Sequence, residues 1–208
     1  MTLHIGSNNI VDIRHGNTKI AKVYKGSDLV WGYVPRKVLF ESSTAGSYTL
    51  YVKCRCKLYI QAVGGGGGGS NHLAATTAQN WWYQNSGGGS GGYIYGVVEV
   101  TAGNYTIIVG DVGYSNGNGS ATSGGNSIVF GQVAGGGGGG SSRAGAGGSG
   151  GKNSTTLSGV NGNGGSYSAT GYSNPERAGG SSVYGGYGAG KTSHGNGGSA
   201  GYVKITAI

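Results

Sequence analysis

Leu50-Tyr51-Val52-Lys53-Cys54-Arg55-Cys56-Lys57-Leu58-Tyr59-Ile60-Gln61-Ala62-Val63, running without a break into Gly64 to Gly69, is the stretch that decides the fold. Leu50, Val52, Cys54, Cys56, Leu58, Ile60 and Ala62 take every second position, and Tyr51, Lys53, Arg55, Lys57, Tyr59 and Gln61 fill the gaps. A period of two is that of strands with one buried face. The pattern fits one long strand or a hairpin that turns near Arg55. The six glycines that follow recur: Gln132-Val133-Ala134 leads into Gly135 to Gly140 as Gln61-Ala62-Val63 leads into Gly64 to Gly69. Glycine adds backbone entropy to the unfolded chain and no side chain to a core, so six in a row read as loop unless something else orders them.

Outward from this stretch, further strands are expected at Val97 to Thr101, Tyr105 to Val109, Ser127 to Val133 and Tyr202 to Ala207, with a hairpin turn at Ala102-Gly103-Asn104. No segment has a helical period. The strands frame glycine-rich insertions at 64–96, 110–126 and 134–200, and a structureless loop of the last one's length is uncommon in a compact domain. Two readings stay open. The insertions are flexible, or their glycines form left-handed threefold helices of the polyglycine II type, packed side by side with NH and C=O groups paired between neighbours.

Upstream, Ile10 to Arg14, Lys19 to Tyr24 and Leu29 to Trp31 are short alternating runs separated by His15-Gly16-Asn17 and Lys25-Gly26-Ser27-Asp28, both tight-turn sequences. They predict a small antiparallel meander over residues 1–34, with Pro35 marking the boundary to a second domain, 35–208. The fold class expected is therefore all-β, a small meander followed by a β-sandwich-like domain with long glycine-rich loops.

Composition limits what the chain can do. Of 208 residues 51 are glycine, yet 10% are aromatic and only 10% charged, which opposes plain disorder. Collagen is excluded by two prolines and the lack of a strict triplet. The net charge of +8 is concentrated at the front: residues 1–63 hold nine Lys/Arg against three Asp/Glu, residues 64–208 five against three. That balance fits docking on an acidic partner surface. Nucleic acid is disfavoured, because the cations lie in front while the aromatics lie behind. No apolar run is long enough to cross a membrane and no leader follows Met1, so an unsecreted product without membrane insertion is expected. Cys54 and Cys56 share one side of a strand, a poor geometry for a mutual disulfide, and read as reduced core residues. The four histidines are scattered, and neither metal nor cofactor is expected.

Gly185-Gly186-Tyr187-Gly188-Ala189-Gly190-Lys191-Thr192 matches the phosphate-binding loop in letters. It lacks the strand before it and the helix after it that would aim NH groups at a phosphate, and so reads as a chance match. Paired carboxylates, a nucleophile elbow and a zinc signature are absent from the sequence, and an enzyme is not expected. The functional signal is instead the set of aromatics among the glycines, which offer contact area at little entropy cost. Candidate recognition residues are Trp81, Trp82, Tyr83, Tyr114, Tyr167, Tyr172, Tyr184 and Tyr187, with Arg143 and Arg177 among them. Packing against glycine faces is the competing role for each.

Leu50 to Gly69, Val97 to Gly110, Ser127 to Gly140 and Gly201-Tyr202-Val203-Lys204-Ile205 together resemble the glycine-rich tail-tip proteins of tailed bacteriophages, and Lys19 to Trp31 is similar to short strand-turn-strand modules of phage virion proteins. The T-even-type tail-fibre adhesins with a polyglycine sandwich are the nearest analogy, although their attachment region is larger than residues 1–34. The resemblance implies a virion protein at the tail or baseplate tip. It would attach to other phage structural proteins through Ile10, Ile13, Ile20, Val23, Tyr24 and Trp31 and present its loops to a host-surface receptor. A homo-oligomer is left open. A decoration protein of capsid or tail, without receptor binding, is the alternative, and an ice-binding glycine-helix protein is a third.

Overall fold

The computed structural model describes residues 14–20, 22–25, 28–31, 36–77, 80–116, 119–141, 157–171, 176–195 and 197–208; at 72–83, 168–171 and most of the N-terminal strand residues the backbone alone is described. The described residues hold strands and no helix. At the front, β1 (Arg14–His15) pairs with β2 (Thr18–Lys19), and β3 (Val23–Lys25) with β4 (Asp28–Trp31). The expected meander is thus two separate hairpins; Gly16, at φ 60°, supplies the left-handed conformation of the first turn.

A β-sandwich follows, built from β5 (Val38–Ser42), β6 (Gly46–Val52), β7 (Cys56–Val63), β8 and β9 excepted, β10 (Tyr93–Val100), β11 (Gly103–Val109), β12 (Ser127–Val129), β13 (Gln132–Ala134), β14 (Ser158–Val160) and, after β15, β16 (Tyr202–Ala207). The three strands outside it are β8 (Ser70–Thr77), β9 (Asn80–Ser86) and β15 (Tyr167–Gly171). One sheet has the order β14-β10-β7-β16-β5 and the other β13-β12-β11-β6, all antiparallel. Leu58, Ile60, Ile94, Val203 and Ile205 from the first sheet meet Val52, Ile107, Val109 and Val129 from the second in one buried core. Each such side chain contributes roughly 1.5–3 kcal/mol by leaving water.

The alternation of residues 50–62 is seen in the burial: Val52, Cys54, Leu58, Ile60 and Ala62 are buried while Tyr51, Lys53, Arg55 and Lys57 are exposed. Neither a single strand nor a hairpin carries it. β6 lies in one sheet and β7 in the other, and the turn at 53–55 takes the chain across the sandwich with its inward face unchanged. Ala102-Gly103-Asn104 likewise bridges β10 to β11 between sheets and is not a hairpin turn. The expected strand Ser127 to Val133 is itself a hairpin. Phe130 and Gly131, at φ 49° and 76°, form its two-residue turn, and the Phe130 ring packs edge-on against Tyr105 at 5.0 Å between centroids.

Between this sandwich and the β15-β9-β8 sheet lies an array of nine extended glycine-rich segments. Residues 64–69, all buried, run through its centre. Their amides point to three neighbours in rotation: Gly64 and Gly67 donate to Gly92 and Gly89, Gly65 and Gly68 to Gly125 and Thr122, and Gly66 to Ser199. Their carbonyls accept from three others: Gly65 and Gly68 from Gly137 and Gly140, Gly66 and Gly69 from Gly113 and Asn116, and Gly67 from Lys191. The six neighbours also bond to each other in a closed ring, 87–92 to 135–140 to 121–126 to 110–116 to 198–201 to 188–193 and back to 87–92. Segments 161–166 and 176–181 extend the array beyond 87–92, where Gly87 and Ser90 donate to Ser166 and Asn163, and Gly180 donates to Gly88. Where no carbonyl reaches an amide a side chain does: Asn126 Oδ1 accepts from Gly136 (2.9 Å), Ser90 Oγ from Asn163 (2.8 Å) and Ser199 Oγ from Ala189 (3.0 Å).

Close approach explains why these positions are glycine. A Cβ at Gly66 would lie 1.8 Å from the Ala189 carbonyl oxygen, and one at Gly67 2.1 Å from that of Gly138. The sandwich strands feed the array directly: β7, β11, β13 and β14 run into 64–69, 110–116, 135–140 and 161–166, and 87–92, 121–126 and 198–201 run back into β10, β12 and β16. The array is thereby fixed between two ends, a basal sandwich and a distal sheet.

Candidate functional site

The distal end is built where segment 64–69 continues into β8 and β9 returns into 87–92, so the hairpin is a direct extension of the array's central segment. β9 lies between β8 and β15. Trp81 stands opposite Ala75, Trp82 between Ala74 and Gly171, and Tyr83 between Leu73 and Thr170 in register. The hairpin is tied down at its root. Ser70, Asn85 and Ser86 are fully buried, Ser70 Oγ donates to the Gly119 carbonyl, Ser86 Oγ to Ser141 (3.0 Å), and the Asn71 amide to Asn116 (3.2 Å). Pairing the buried Ser70 and Ser86 hydroxyls with these carbonyls anchors the root of the sheet against the glycines.

Tyr114 is 69% exposed. Its backbone is fixed by a donated bond to Thr122 Oγ1 (2.6 Å) and an accepted one from the Thr122 amide (3.0 Å), so an exposed ring sits on a rigid support. Tyr167 opens β15 opposite Ser86 and is half-buried. Arg177, half-buried on segment 176–181, donates its amide to Ser193 Oγ (2.9 Å), and beside it Thr192 Oγ1 donates to Glu176 (2.5 Å). The Nε of Arg177 is buried without a hydrogen-bond partner among the described residues. Arg143 and Tyr172 lie outside the described residues, as do Ile10 and Ile13. Ile20 and Val23 are half-buried, and Tyr24 and Trp31 fall in β3 and β4.

Tyr184 and Tyr187 lie at the other end of the array. They close a turn, the Tyr187 amide donating to the Tyr184 carbonyl (3.0 Å), at the junction with the sandwich. There five rings form a ladder: Tyr95 on Tyr93 (5.2 Å), Tyr93 on Tyr184 (4.4 Å), Tyr184 against Tyr202 (5.9 Å) and Tyr202 on Tyr187 (4.3 Å). Gln61 Nε2 donates to both the Tyr93 and Tyr184 hydroxyls, at 2.8 and 2.9 Å. The Tyr202 hydroxyl donates to Glu41 (2.6 Å). Burial, and then that carboxylate, push the Tyr202 hydroxyl above its ordinary pKa; burial does the same to Tyr93. The bonds from Tyr202 and Lys204 hold Glu41 below the usual carboxylate range. Sequence reasoning missed Gln61, Tyr93 and Tyr202 as members of this joint. The usable signal is that each sits within three residues of a glycine segment at a strand end.

The stretch matching a phosphate-binding loop has its amides in use. Gly188 donates to Ala200, Gly190 to Gly180, Lys191 to Gly67 and Ala189 to Ser199 Oγ. Among the described residues no three His, Cys, Asp or Glu come together as a metal site, and no helix is long and apolar enough to cross a membrane. Cys54 and Cys56 are free thiols.

No curated protein matches the chain. Its residues 42–207 match the family described as Glycine-rich domain, a span that takes in the array, the distal sheet and the sandwich apart from most of its edge strand β5, and the chain belongs to that family.

Proposed function

We propose that this chain is a phage virion protein, an adhesin of the tail tip or tail fibre, whose distal end binds a host-surface receptor. The observation that carries the reading is the division of the molecule by the glycine array. One end is a sandwich with a conventional core, and the other presents the hairpin with Trp81, Trp82 and Tyr83, together with Tyr167 and, on the flank, Tyr114. We read the nine segments as packed polyglycine II helices, because amides that change neighbour at each residue and return at every third are what that helix requires. An array of this kind holds its ends apart without side chains, and so leaves the outward residues free for recognition.

On this reading Trp81, Trp82, Tyr83, Tyr114, Tyr167, Tyr172, Arg143 and Arg177 belong to the receptor surface, and Tyr184 and Tyr187 support it from the basal joint. The virion side is the front of the chain, with Ile10, Ile13, Ile20, Val23, Tyr24 and Trp31 as its attachment residues. Competition for adsorption tests it. The purified protein is expected to bind susceptible bacteria and to block phage adsorption, and a variant with residues 72–84 replaced by a Gly-Ser linker is expected to stay folded and to do neither. Normal adsorption in the presence of excess intact protein, with no cell binding, would leave the decoration-protein reading in its place.

A further inference from the structure

Arg36, Lys37, Lys53, Arg55 and Lys57 are all exposed, and the register of the sandwich gathers them at its basal pole. The Arg36 amide donates to Ala207 O (2.7 Å), the Ala207 amide to Lys37 O (2.9 Å) and the Ile208 amide to Lys57 O (3.5 Å), so Lys37 and Lys57 flank the end of β16 from either side. Two strand spacings separate them, about 10 Å of backbone. Lys53 and Arg55 occupy the turn between β6 and β7 that leads into Lys57. The screening length is about 8 Å at physiological salt, so the joint field of cations about 10 Å apart is partly screened there and grows as the salt is lowered.

Among the described residues Glu99 lies with them, opposite Lys57 in register and bonded to Arg55 at 2.6 Å. Glu41 sits toward the other end of β5, with Lys204 and Tyr202 as its partners. Residues 1–35 hold four Lys/Arg and two Asp/Glu, so most of the positive excess of the front third belongs to this pole of the sandwich and not to the hairpins before it. Tyr51, 54% exposed, stands beside the turn. An exposed aromatic next to arginine is a composition enriched at protein interfaces.

We infer that the basal pole is a docking surface for a protein face rich in aspartate and glutamate. Arg36, where the described chain enters the body, lies at this pole. Glu99 in the middle of the cations opposes a phosphate backbone, whereas a protein surface of mixed sign accommodates it. The inference stands on register and charge, independently of the receptor reading of the distal end.

The test uses the full chain and two immobilised probes, poly-L-glutamate and double-stranded DNA, at low and at high salt. Substitution of Lys37 and Lys57 by Gln is compared with substitution of Lys152 and Lys191 by Gln, which removes the same charge from the glycine-rich region. Binding to poly-L-glutamate should weaken as salt rises, and the pole variant should lose at least about tenfold in affinity where the matched variant loses less than about threefold. An unchanged unfolding midpoint for the pole variant shows that it is folded, and Lys37→Gln alone should give a smaller loss in the same direction. Equal losses in the two double variants, or no binding by the intact chain, would overturn the inference. Tighter, pole-dependent binding to DNA than to poly-L-glutamate would overturn it in favour of nucleic acid.

Discussion

The sandwich and the array solve the same problem with opposite materials. In the sandwich Leu58, Ile60, Ile94 and Ile205 are ordered because their side chains leave water, and the backbone pairs as strands around them. In the central segment of the array there is no side chain to bury, and residues 64–69 are ordered because neighbouring backbones, and Ser115 Oγ at the Gly69 amide, supply complementary donors and acceptors around it. A net gain of about 0.5–1.5 kcal/mol per bond is modest, but an orphaned buried group costs about as much again or more, so the array is held by completeness. The difference shows in what each tolerates. A core can relax around a lost methyl group; a backbone contact cannot make room for an added one.

Gly66→Ala should therefore have the largest effect, since its Cβ would fall 1.8 Å from the Ala189 carbonyl oxygen, with backbone on both sides. Denaturant unfolding should show a loss of more than about 4 kcal/mol or no folded protein at all. Ile60→Ala, which removes three carbons from the centre of the sandwich, should cost less, about 3 kcal/mol, and leave a cooperative transition. A reversed order of these two would mean that the array is looser than its hydrogen bonds indicate.

Glycine number follows how many backbones crowd a segment only loosely, since 135–140 in the ring is glycine throughout as 64–69 at the centre is, and this is where legibility begins and ends. Segment 64–69 is surrounded by six others and is glycine throughout; segment 110–116 lies in the ring and keeps glycine only at 110 and 113, three apart, with Asp111, Val112 and Tyr114 between them. The period-two pattern of residues 50–62 was plain because apolar burial is written in side chains. It could not say that the chain changes sheets at Arg55, because both sheets offer the same core. The hairpin of β8 and β9 was hidden for a different reason: Ser70 to Ser86 lacks the alternation of a half-buried strand, and its root is held by the buried Ser70, Asn85 and Ser86. Tyr184 and Tyr187 are expected among the recognition residues from their glycine-rich surroundings alone, because composition does not tell which end of a segment a ring occupies.

Two smaller substitutions separate the array's hydrogen bonding from the glycine conformation of a turn in the sandwich. Ser90→Ala removes a buried oxygen that accepts the Asn163 amide at 2.8 Å, and should cost about 2 kcal/mol by equilibrium unfolding. Gly131→Ala, by contrast, meets no atom within 4 Å, and only its φ of 76° resists a side chain. Its cost should be about 1 kcal/mol. If Ser90→Ala proved the milder of the two, side-chain oxygens would be ornaments on the array and not members of it.

The smallest effect is one of pH, and it belongs to the sandwich. Burial, with Cys54 beside it, pushes the Cys56 thiol up to about 12 from an ordinary 9.0. Below pH 9 the thiol is protonated in folded and unfolded chains alike, and its contribution to stability is fully present. Between pH 9 and about 12 the unfolded chain releases the proton while the folded one retains it, so ionisation favours unfolding and the denaturant midpoint should fall as pH rises. Burial raises the Tyr93 and Tyr202 hydroxyls in the same direction, so Cys56→Ala should reduce the slope of that fall without abolishing it. A glycine array carries no titratable group in its central segment, which makes the comparison internal to the molecule. Loss of the distal hairpin should leave this alkaline slope untouched wherever the sandwich stays folded, whereas loss of the array uncovers Tyr93 and Tyr202, which Tyr184 and Tyr187 help to bury, and should lower the slope while the Cys56 part of it persists.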